Sequence, residues 1–151
     1  MMRPSKKLAL ALEAVCDIAY HGGAEPVQSQ DIARRLNLPR RYLEQVMQQM
    51  VRACILKGVR GPRGGYRLAR ERRRIVVGEV VRVVRGLDGQ TADEDGRASS
   101  ALGEAVVQPF WDEIEAELMA KLDAVSIDEL CRRATARQVP SEAEKGVDFV
   151  I

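Results

Sequence analysis

The sequence predicts a mainly α-helical fold with one small β-hairpin, and three observations lead to this expectation. Of the 151 residues, 46% are hydrophobic but only 4% are aromatic, a composition that favours packed helices rich in Ala, Leu and Val. Several segments carry apolar residues at the three- and four-residue spacing of a buried helical face. One segment, 55–68, instead holds two short β-prone runs around a Gly/Pro/Arg turn, which predicts a hairpin with a basic tip.

Charge divides the chain into a basic half and an acidic half. Residues 1–90 hold 18 Lys and Arg against 8 Asp and Glu, a net charge of +10, whereas residues 91–151 hold 6 against 14, a net charge of −8. This asymmetry indicates a basic half that contacts a polyanion and an acidic half that stays clear of it. No apolar run is long enough to cross a bilayer and no secretory signal is evident, so we expect a cytoplasmic protein that does not bind membranes.

Residue types suited to catalysis or metal binding are few. His21 is the only histidine, and the three cysteines, Cys16, Cys54 and Cys131, are far apart and lack the spacing of a zinc or iron–sulfur site. We expect each cysteine to pack separately as a small apolar residue. The sequence contains no phosphate-binding loop, nucleophile motif or carboxylate pair in an apolar frame, so we predict no enzymatic activity, no metal and no cofactor.

The first forty residues have the layout of a helix-turn-helix. Ser5 suits the N-cap of a first helix whose apolar stripe ends at 21–23, His-Gly-Gly. Ser29 suits the N-cap of a short helix, 30–36, and residues 37–39 form a tight turn before a longer helix. A short helix, a brief turn and a longer polar-faced helix together predict a helix-turn-helix.

The longer helix has one apolar face and one face of long hydrogen-bond donors. Its apolar residues recur from Leu43 to Met50 at the spacing of a single helical stripe. Side chains near the start of such a helix reach DNA base edges first, with arginine suiting guanine, glutamine suiting adenine and tyrosine suiting a thymine methyl group or a phosphate. The residues predicted to contact bases are Arg40, Arg41, Tyr42 and Gln45.

The hairpin and the start of the short helix complete the predicted DNA-binding surface. Arginines at the hairpin tip can meet phosphates or a narrow minor groove, glycines permit close backbone approach, and amides opening the short helix can hold phosphate oxygens. We therefore predict a winged helix-turn-helix domain over residues 1–85, with double-stranded DNA as its partner. The additional residues of this surface are Gln28, Ser29, Arg60, Gly61, Arg63 and Gly64.

The second half of the chain predicts a linker, two helices and a tail. After a returning strand over 75–77 and a short helix over 78–85, residues 86–100 are polar and turn-rich and predict a loop or linker. Residues 101–135 predict a long helix and then a last helix, which opens with the capping box Ser126-Ile127-Asp128-Glu129. Residues 136–151 predict a loose tail.

The long helix carries an apolar stripe that a single chain would leave exposed beyond the linker. A partner helix is the simplest cover, so we predict a homodimer, which also suits a pseudo-palindromic operator with two half-sites. Packing of this helix against its own domain is the alternative. The residues predicted to form the dimer contact are Val107, Phe110, Trp111, Ile114, Leu118 and Leu122.

Three stretches resemble the IscR/NsrR-type bacterial transcription regulators. They are Tyr42-Leu43-Glu44-Gln45, Val59-Arg60-Gly61-Pro62-Arg63-Gly64-Gly65-Tyr66 and Val77-Gly78-Glu79-Val80, and the resemblance covers nearly the whole chain. It implies a dimeric winged-helix repressor or activator from a family that senses iron–sulfur status, nitric oxide, iron or cysteine supply. It also implies that Tyr42, its helix neighbours, Arg60 and Gly61 contact DNA, and that the helix around Trp111 forms the dimer.

One departure from this family concerns the cofactor. Cluster-binding members carry three closely spaced cysteines just ahead of the dimer helix, whereas residues 93–108 contain neither cysteine nor histidine. When the family pattern is placed by Trp111, Asp93, Ser99 and Ala105 stand at the ligand positions. Carboxylates and hydroxyls are poor replacements for the thiolates that hold such clusters. We therefore expect a member without an orthodox iron–sulfur cluster, regulated through a protein partner or another signal.

The expected function is thus a homodimeric, sequence-specific DNA-binding transcription regulator, and repression is the expected role. Two alternatives stay open. One is a protein-interaction or accessory module that has lost the ability to recognise DNA. The other is a regulator whose cluster is held by unusual ligands.

Overall fold

The structure, a computed structural model, describes residues 3–92 and 100–143, with side chains described for 3–86 and 100–143. Six α-helices and one two-stranded sheet lie within these ranges. Mainly helical secondary structure with a single hairpin agrees with the prediction. In chain order the elements are α1 (Lys6–His21), α2 (Ser29–Leu36), α3 (Arg40–Arg52), β1 (Leu56–Val59), β2 (Gly65–Leu68), α4 (Val77–Ala92), α5 (Gln108–Asp123) and α6 (Ile127–Ala136).

Helix α1 is the centre of the core and packs against α2, α3, α4, α6 and β2. Ser5 caps it as predicted, because its hydroxyl accepts a hydrogen bond from the Leu8 amide at 3.2 Å. The helix ends at His21, and the amide of Gly22 donates to the Ile18 carbonyl. A Cβ atom on residue 22 would lie 2.4 Å from that carbonyl oxygen, which explains the glycine there.

A buried ion pair fixes α2 against α1. Arg35 donates from Nε and Nη2 to the two carboxylate oxygens of Asp17, at 2.9 and 2.8 Å. This hydrogen bonding raises the pKa of Arg35, and Asp17 is itself buried. Removal of one partner from such a pair typically costs about 3–5 kcal/mol, because it leaves the other charge buried and unpaired.

The turn between α2 and α3 is tight and left-handed. Asn37 has φ 54° and ψ 52°, and its amide and that of Leu38 donate to carbonyls at the end of α2. Asparagine tolerates this conformation better than most residues. Pro39 follows as the N-cap residue of α3, so the predicted helix-turn-helix layout is present.

The hairpin pairs β1 with β2 in antiparallel register, with Leu56 opposite Leu68 and Val59 opposite Gly65. The predicted returning strand over 75–77 does not join this sheet, and that prediction is wrong. Instead the Ile127 amide donates to the Ile75 carbonyl, and the Val77 amide donates to Val125. The segment pairs with the short connection between α5 and α6 because Ile75 and Ile127 are both fully buried in the core.

Helix α4 is longer than predicted. It continues through Gly86 to Ala92, so the expectation that it ends at Arg85 and that a loop begins at 86 is wrong for 86–92. Gly86 is exposed and a Cβ there would meet nothing within 4 Å. An exposed glycine weakens a helix by about 1 kcal/mol without ending it. Residues 93–99 of the predicted linker, including Asp93 and Ser99, lie outside the described residues.

The helix that contains α5 begins before it. Residues 101–102 are helical, and a π-helical segment over Gly103–Val107 leads into α5. Pro109 lacks an amide hydrogen and its ring would collide with the carbonyl four residues earlier in a regular α-helix. The wider turn, in which the Gln108 amide donates to the Gly103 carbonyl, accommodates the proline.

The C-terminal segment is docked rather than loose as far as residue 143. Ser126 caps α6 as predicted, accepting from the Glu129 amide at 3.1 Å. After α6 the chain returns to the end of α1, where the Tyr20 hydroxyl donates to Val139 and the Ser141 hydroxyl donates to the Tyr20 carbonyl at 2.8 Å. The prediction of a loose tail over 136–151 is therefore wrong for 136–143, since α6 runs to Ala136 and the chain after it is docked, and 144–151 lie outside the described residues.

Candidate nucleic-acid interface

Helix α3 separates an apolar face from a donor face. Its buried residues are the predicted ones, Leu43, Val46, Met47 and Met50, and full burial of each such side chain contributes about 1.5–3 kcal/mol. The opposite face is exposed to solvent, with Arg41, Tyr42 and Gln45 among its residues. The structure therefore places three of the four predicted base-contacting residues together at the exposed start of α3.

The fourth predicted base-contacting residue, Arg40, is held inside the protein's own hydrogen-bond network. Its Nε donates to Glu44 at 3.0 Å and to the Ser29 hydroxyl at 3.1 Å. The Ser29 hydroxyl in turn donates to Glu44 at 3.4 Å. The Arg40 side chain is 61% exposed, so this pair adds little to stability, but it orients Arg40 towards the start of α2.

Helix α2 begins one residue earlier than predicted. Gln28 is the N-cap residue and makes no side-chain capping bond, while Ser29 is the first helical residue. The prediction that Ser29 caps the helix is wrong, because its hydroxyl is engaged with Arg40 and Glu44. The first amides of a helix have no carbonyl partner within it and attract anions. Gln28 and Ser29 stand at this end of α2, directly before the donor face of α3.

The hairpin is attached to the start of α2 by backbone pairing. Val27 and Tyr66 exchange two hydrogen bonds, from the Val27 amide to Tyr66 at 2.9 Å and back from the Tyr66 amide at 2.8 Å. A Cβ atom on Gly65 would lie 2.2 Å from the Val27 carbonyl oxygen. The hairpin and residues 27–29 are thus held in one rigid arrangement, and glycine is needed at 65 for the close approach.

The tip of the hairpin is basic and tightly turned. Gly61 has φ 116°, a conformation that favours glycine, and the Gly64 amide donates to the Gly61 carbonyl at 2.9 Å. Arg60 is exposed, and Arg63 approaches Glu25 at 3.6 Å with both side chains largely in solvent. An ion pair this exposed gives way readily to a phosphate.

An open cleft of about 650 Å³ lies between α3, the start of α2 and the hairpin. It brings together six predicted residues, but Arg41, Tyr42, Gln45 and Arg63 are not part of its lining. Nine residues that the sequence did not single out as contacts also line it. The cleft is lined in part by the predicted Gln28, Ser29, Arg40, Arg60, Gly61 and Gly64, and by Glu44, Gln48 and Tyr66.

Tyr66 is the most informative of these additional residues. Burial, and then the nearby negative charge of Glu44, raise the pKa of its phenol, while a hydrogen bond with Gln48 opposes this shift. The phenol therefore stays neutral at ordinary pH in the lining of the cleft. Its alternation with the exposed Arg67 along β2 is the sequence signal that could have identified it.

A second feature is the uncovered apolar face of α5. Five of the six predicted dimer residues are exposed on the single chain, with Phe110 53% and Trp111 47% exposed. The sixth, Leu122, packs against the chain's own core together with Met119, so its prediction as part of the exposed face is wrong. The uncovered face consists of Val107, Phe110, Trp111, Ile114 and Leu118, with Leu102 and Val106 beside it.

The prediction that each cysteine packs as a small apolar residue is confirmed for Cys131, which is buried in the core, and for Cys16, which packs against the core, but it is wrong for Cys54. Cys54 is exposed after α3, in a left-handed conformation with φ 60°. Cys16 and Cys131, which were expected to pack separately, line one cavity between α1 and α6. Within the described ranges no three His, Cys, Asp or Glu side chains come together as metal ligands. No helix there is long and apolar enough to span a membrane.

Comparison with known proteins gives consistent matches. The family model Rrf2, described as an iron-dependent transcriptional regulator, matches residues 4–133. The chain is 31% identical over 133 residues to the HTH-type transcriptional regulator IscR of Vibrio atlanticus, a match covering 87% of this chain and 76% of that protein. It is 28% identical over 152 residues to IscR of Photobacterium profundum, covering 95% and 84% of the two chains.

Solved structures share the fold. The structure of T. potens IscR matches with a TM-score of 0.74 and 30% identity over 93% of each chain. That of CymR, the global cysteine regulator of B. subtilis, matches with a TM-score of 0.70 and 26% identity over 88% of this chain and 98% of CymR. The predicted fold class, a winged helix-turn-helix with a long C-terminal helix, is confirmed.

Proposed function

This chain belongs to the Rrf2 family of DNA-binding transcription regulators, which are not enzymes, and we propose that it is a homodimeric repressor that binds a pseudo-palindromic operator without an iron–sulfur cluster. The observation that carries this proposal is the arrangement of α3 beside the hairpin. Arg40, Glu44 and Gln48 of α3 border one cleft with the basic hairpin, and backbone pairing between Val27 and Tyr66 holds that arrangement.

The proposed docking places the exposed start of α3 in the major groove. Arg41, Tyr42 and Gln45 are free of the cleft wall and project where base edges would lie. Arg40 is instead directed by Glu44 and Ser29 towards the start of α2, which suits a phosphate contact better than a base contact. Arg40 is thus proposed to contact a phosphate, whereas the sequence predicted that it contacts a base.

The DNA backbone is proposed to lie across the cleft. The amides of Gln28 and Ser29 meet a phosphate at one side, while Arg60 and Arg63 meet the backbone or a narrow minor groove at the other. Gly61 and Gly64 allow the hairpin backbone to approach closely. Because Glu44 also lines the cleft, a phosphate entering it would compete with that carboxylate for Arg40.

The dimer is proposed from the uncovered face of α5. A run of seven exposed large apolar residues on one helical segment is unfavourable in water, and a second copy of the same helix is a self-complementary cover. Two ion pairs, Arg82–Asp123 and Arg85–Glu115, attach α5 to α4 and so orient this face relative to the DNA-binding domain. Repression then requires only that the dimer occupy its operator and exclude polymerase.

The absence of an orthodox cluster is proposed from the available donors. Iron–sulfur clusters in this family need closely spaced thiolates, and residues 93–108 contain no cysteine or histidine. The chain's three thiols do not supply the set either, because Cys54 is exposed after α3 while Cys16 and Cys131 line a separate cavity. The residues present do not fit an iron–sulfur cluster, so the signal that regulates DNA binding would arrive by another route, such as a regulatory protein partner.

The test is an oxygen-free purification followed by iron assay, absorption spectroscopy and selection of genomic DNA fragments. We expect an iron-free, colourless protein that selects a palindromic site, with Arg41→Ala relaxing the selection. Arg133→Ala on α6 is the matched control and should leave selection unchanged. A brown, iron-containing protein would overturn the cluster-free proposal alone, whereas indifference to DNA would support an accessory module instead.

A further inference from the structure

An open cavity of about 300 Å³ lies between α1, α2, α6 and the docked C-terminal segment. Two cysteines that are widely separated in sequence both line it, Cys16 from α1 and Cys131 from α6. Leu36, Leu130 and Val139 form the apolar part of the lining, and the titratable side chains that share it are Glu13, Asp17, Tyr20, His21 and Arg35. This cavity is distinct from the cleft at the proposed DNA-binding surface.

The orientation of α6 towards α1 is fixed by several contacts at its start. The Ile127 amide donates to the Ile75 carbonyl at 2.8 Å, and Ile127 is fully buried. Asp128 pairs with Arg72, in the segment before α4, at 2.8 Å. These contacts fix the start of α6, which packs directly against α1 and carries the buried Cys131.

The two thiols are electrostatically coupled but unequal. Burial, then the nearby Cys131, and then Glu13 and Asp17 raise the pKa of Cys16 to about 12. Burial also raises the pKa of Cys131, but the Arg72 guanidinium opposes that shift through its charge and a hydrogen bond, while Asp128 adds to it. Cys131 is therefore the thiol with a cation placed to stabilise its thiolate.

We propose that Cys16 and Cys131 form an oxidisable dithiol that hydroperoxides convert into an intramolecular disulfide. The Cys131 thiolate attacks the peroxide oxygen, the O–O bond breaks, and sulfenic acid and water form from hydrogen peroxide and a proton. The Cys16 sulfur then attacks the sulfenic sulfur, so that the S–S bond forms as the S–O bond breaks. A second water leaves with the Cys16 proton, and two protein hydrogens and two electrons are lost in all.

The environment makes this modification slow to form and hard to reverse. Burial raises the pKa of the partly buried Cys16 and of the buried Cys131, so few thiolates exist at neutral pH and the pair is protected from brief exposure to oxidant. The same environment destabilises the reduced dithiolate, and disulfides of such thiols resist reduction. Once formed, the disulfide would join α1, the centre of the core, to α6.

The experiment uses the full chain with Cys54→Ser, which removes the exposed thiol and prevents disulfides between molecules. The protein is treated with hydrogen peroxide and followed by intact mass and by peptide mapping without reductant. We expect the loss of two hydrogens and a peptide pair that joins residues 16 and 131. The rate should rise about tenfold per pH unit near neutrality because the thiolate fraction does so.

Matched controls are Cys54→Ser with Cys131→Ala and Cys54→Ser with Cys16→Ala, each checked for folding by circular dichroism. Neither should lose hydrogens, and the variant that keeps Cys131 should gain oxygen. If an alanine variant fails to fold, disulfide formation in the Cys54→Ser protein is compared in buffer and in denaturant, because the proposed disulfide depends on the folded chain. A protein that stays reduced, gains only oxygen, or cross-links only when unfolded would overturn the proposal. None of these readouts depends on DNA.

Discussion

The carboxylate of Asp123, at the end of α5, lies directly against Gly78 in the first turn of α4. A Cβ atom added to Gly78 would come within 1.8 Å of the Asp123 Oδ1. The same carboxylate accepts two hydrogen bonds from Arg82, at 2.9 and 2.5 Å. This contact attaches the helix with the uncovered apolar face to the helix that leaves the DNA-binding domain.

Gly78→Ala should destabilise the protein modestly, because its methyl group would displace the partly exposed Asp123 carboxylate from its hydrogen bonds with Arg82. Urea denaturation would measure the change. The control is the same substitution in an Asp123→Ala background, where the obstructing carboxylate is gone and the cost should fall sharply. Equal costs in the two backgrounds would show that the Asp123 contact is not what requires glycine.

Gly65→Ala should weaken binding to all DNA sequences, because its methyl group would push the hairpin away from the Val27 carbonyl and misplace Gln28 and Ser29. Fluorescence anisotropy with specific and random duplexes would measure this effect. Gly58→Ala is the matched control within the same hairpin, since a Cβ there meets nothing within 4 Å. If Gly58→Ala weakened binding as much, a general loss of strand flexibility would explain both results.

Arg41→Ala should reduce sequence discrimination, whereas Arg63→Ala should reduce affinity for DNA of any sequence. Loss of Arg41 should cost about 1–3 kcal/mol at a cognate site and relax discrimination at one base pair. Loss of Arg63 should weaken cognate and random duplexes about equally and reduce the salt slope by about 1. Titrations at several salt concentrations would separate the two. Unchanged sequence preference in Arg41→Ala would remove it from the base-contacting set.

Ile114→Glu should convert a dimer into a monomer while leaving helix content intact, because Ile114 is exposed on the single chain. A charge placed in an apolar interface is left without a partner, which is strongly unfavourable. Sedimentation velocity and circular dichroism would test this expectation. Glu113→Gln, the neighbouring position outside the apolar face, is the control. A dimer that persists in Ile114→Glu would place the interface elsewhere.

Gly86→Ala should stabilise the protein by about 0.5–1 kcal/mol, because alanine favours the helix and its methyl group meets open space. Thermal and urea denaturation would measure the gain. This substitution also tests the course of α4, since a gain is expected only if residue 86 lies inside a helix. No gain, or a loss, would count against a helix that continues to Ala92.

Patterns among residues close in sequence determined the buried face of α3, two helix starts and the hairpin. The three- and four-residue spacing of Leu43, Val46, Met47 and Met50 identified the buried face of α3, and Ser5 and Ser126 marked two helix starts. Glycine and arginine around 60–65 identified the hairpin and its basic tip. These features depend on residues close in sequence, whose periodicity and capping chemistry are visible without a structure.

Other features were decided by the tertiary structure, because they join residues that no local pattern relates. Ile75 pairs with Ile127 rather than with the hairpin, and Leu122 turns into the core rather than outward. Arg40 is engaged by Ser29 and Glu44, which the donor pattern of α3 did not indicate. Helix periodicity describes which face is apolar, but not which neighbour covers it.

The shared cavity of Cys16 and Cys131 is the clearest case of this division. The local sequence around each cysteine predicts only a small apolar residue in the core, and nothing in either helix indicates a second cysteine nearby. Packing of α6 onto α1 places both cysteines in the lining of one cavity, and Ile127 and Asp128 fix the start of α6. The sequence determined the helices and the donor face of α3, whereas long-range packing decided which side chains meet, since contact between distant segments depends on the whole core.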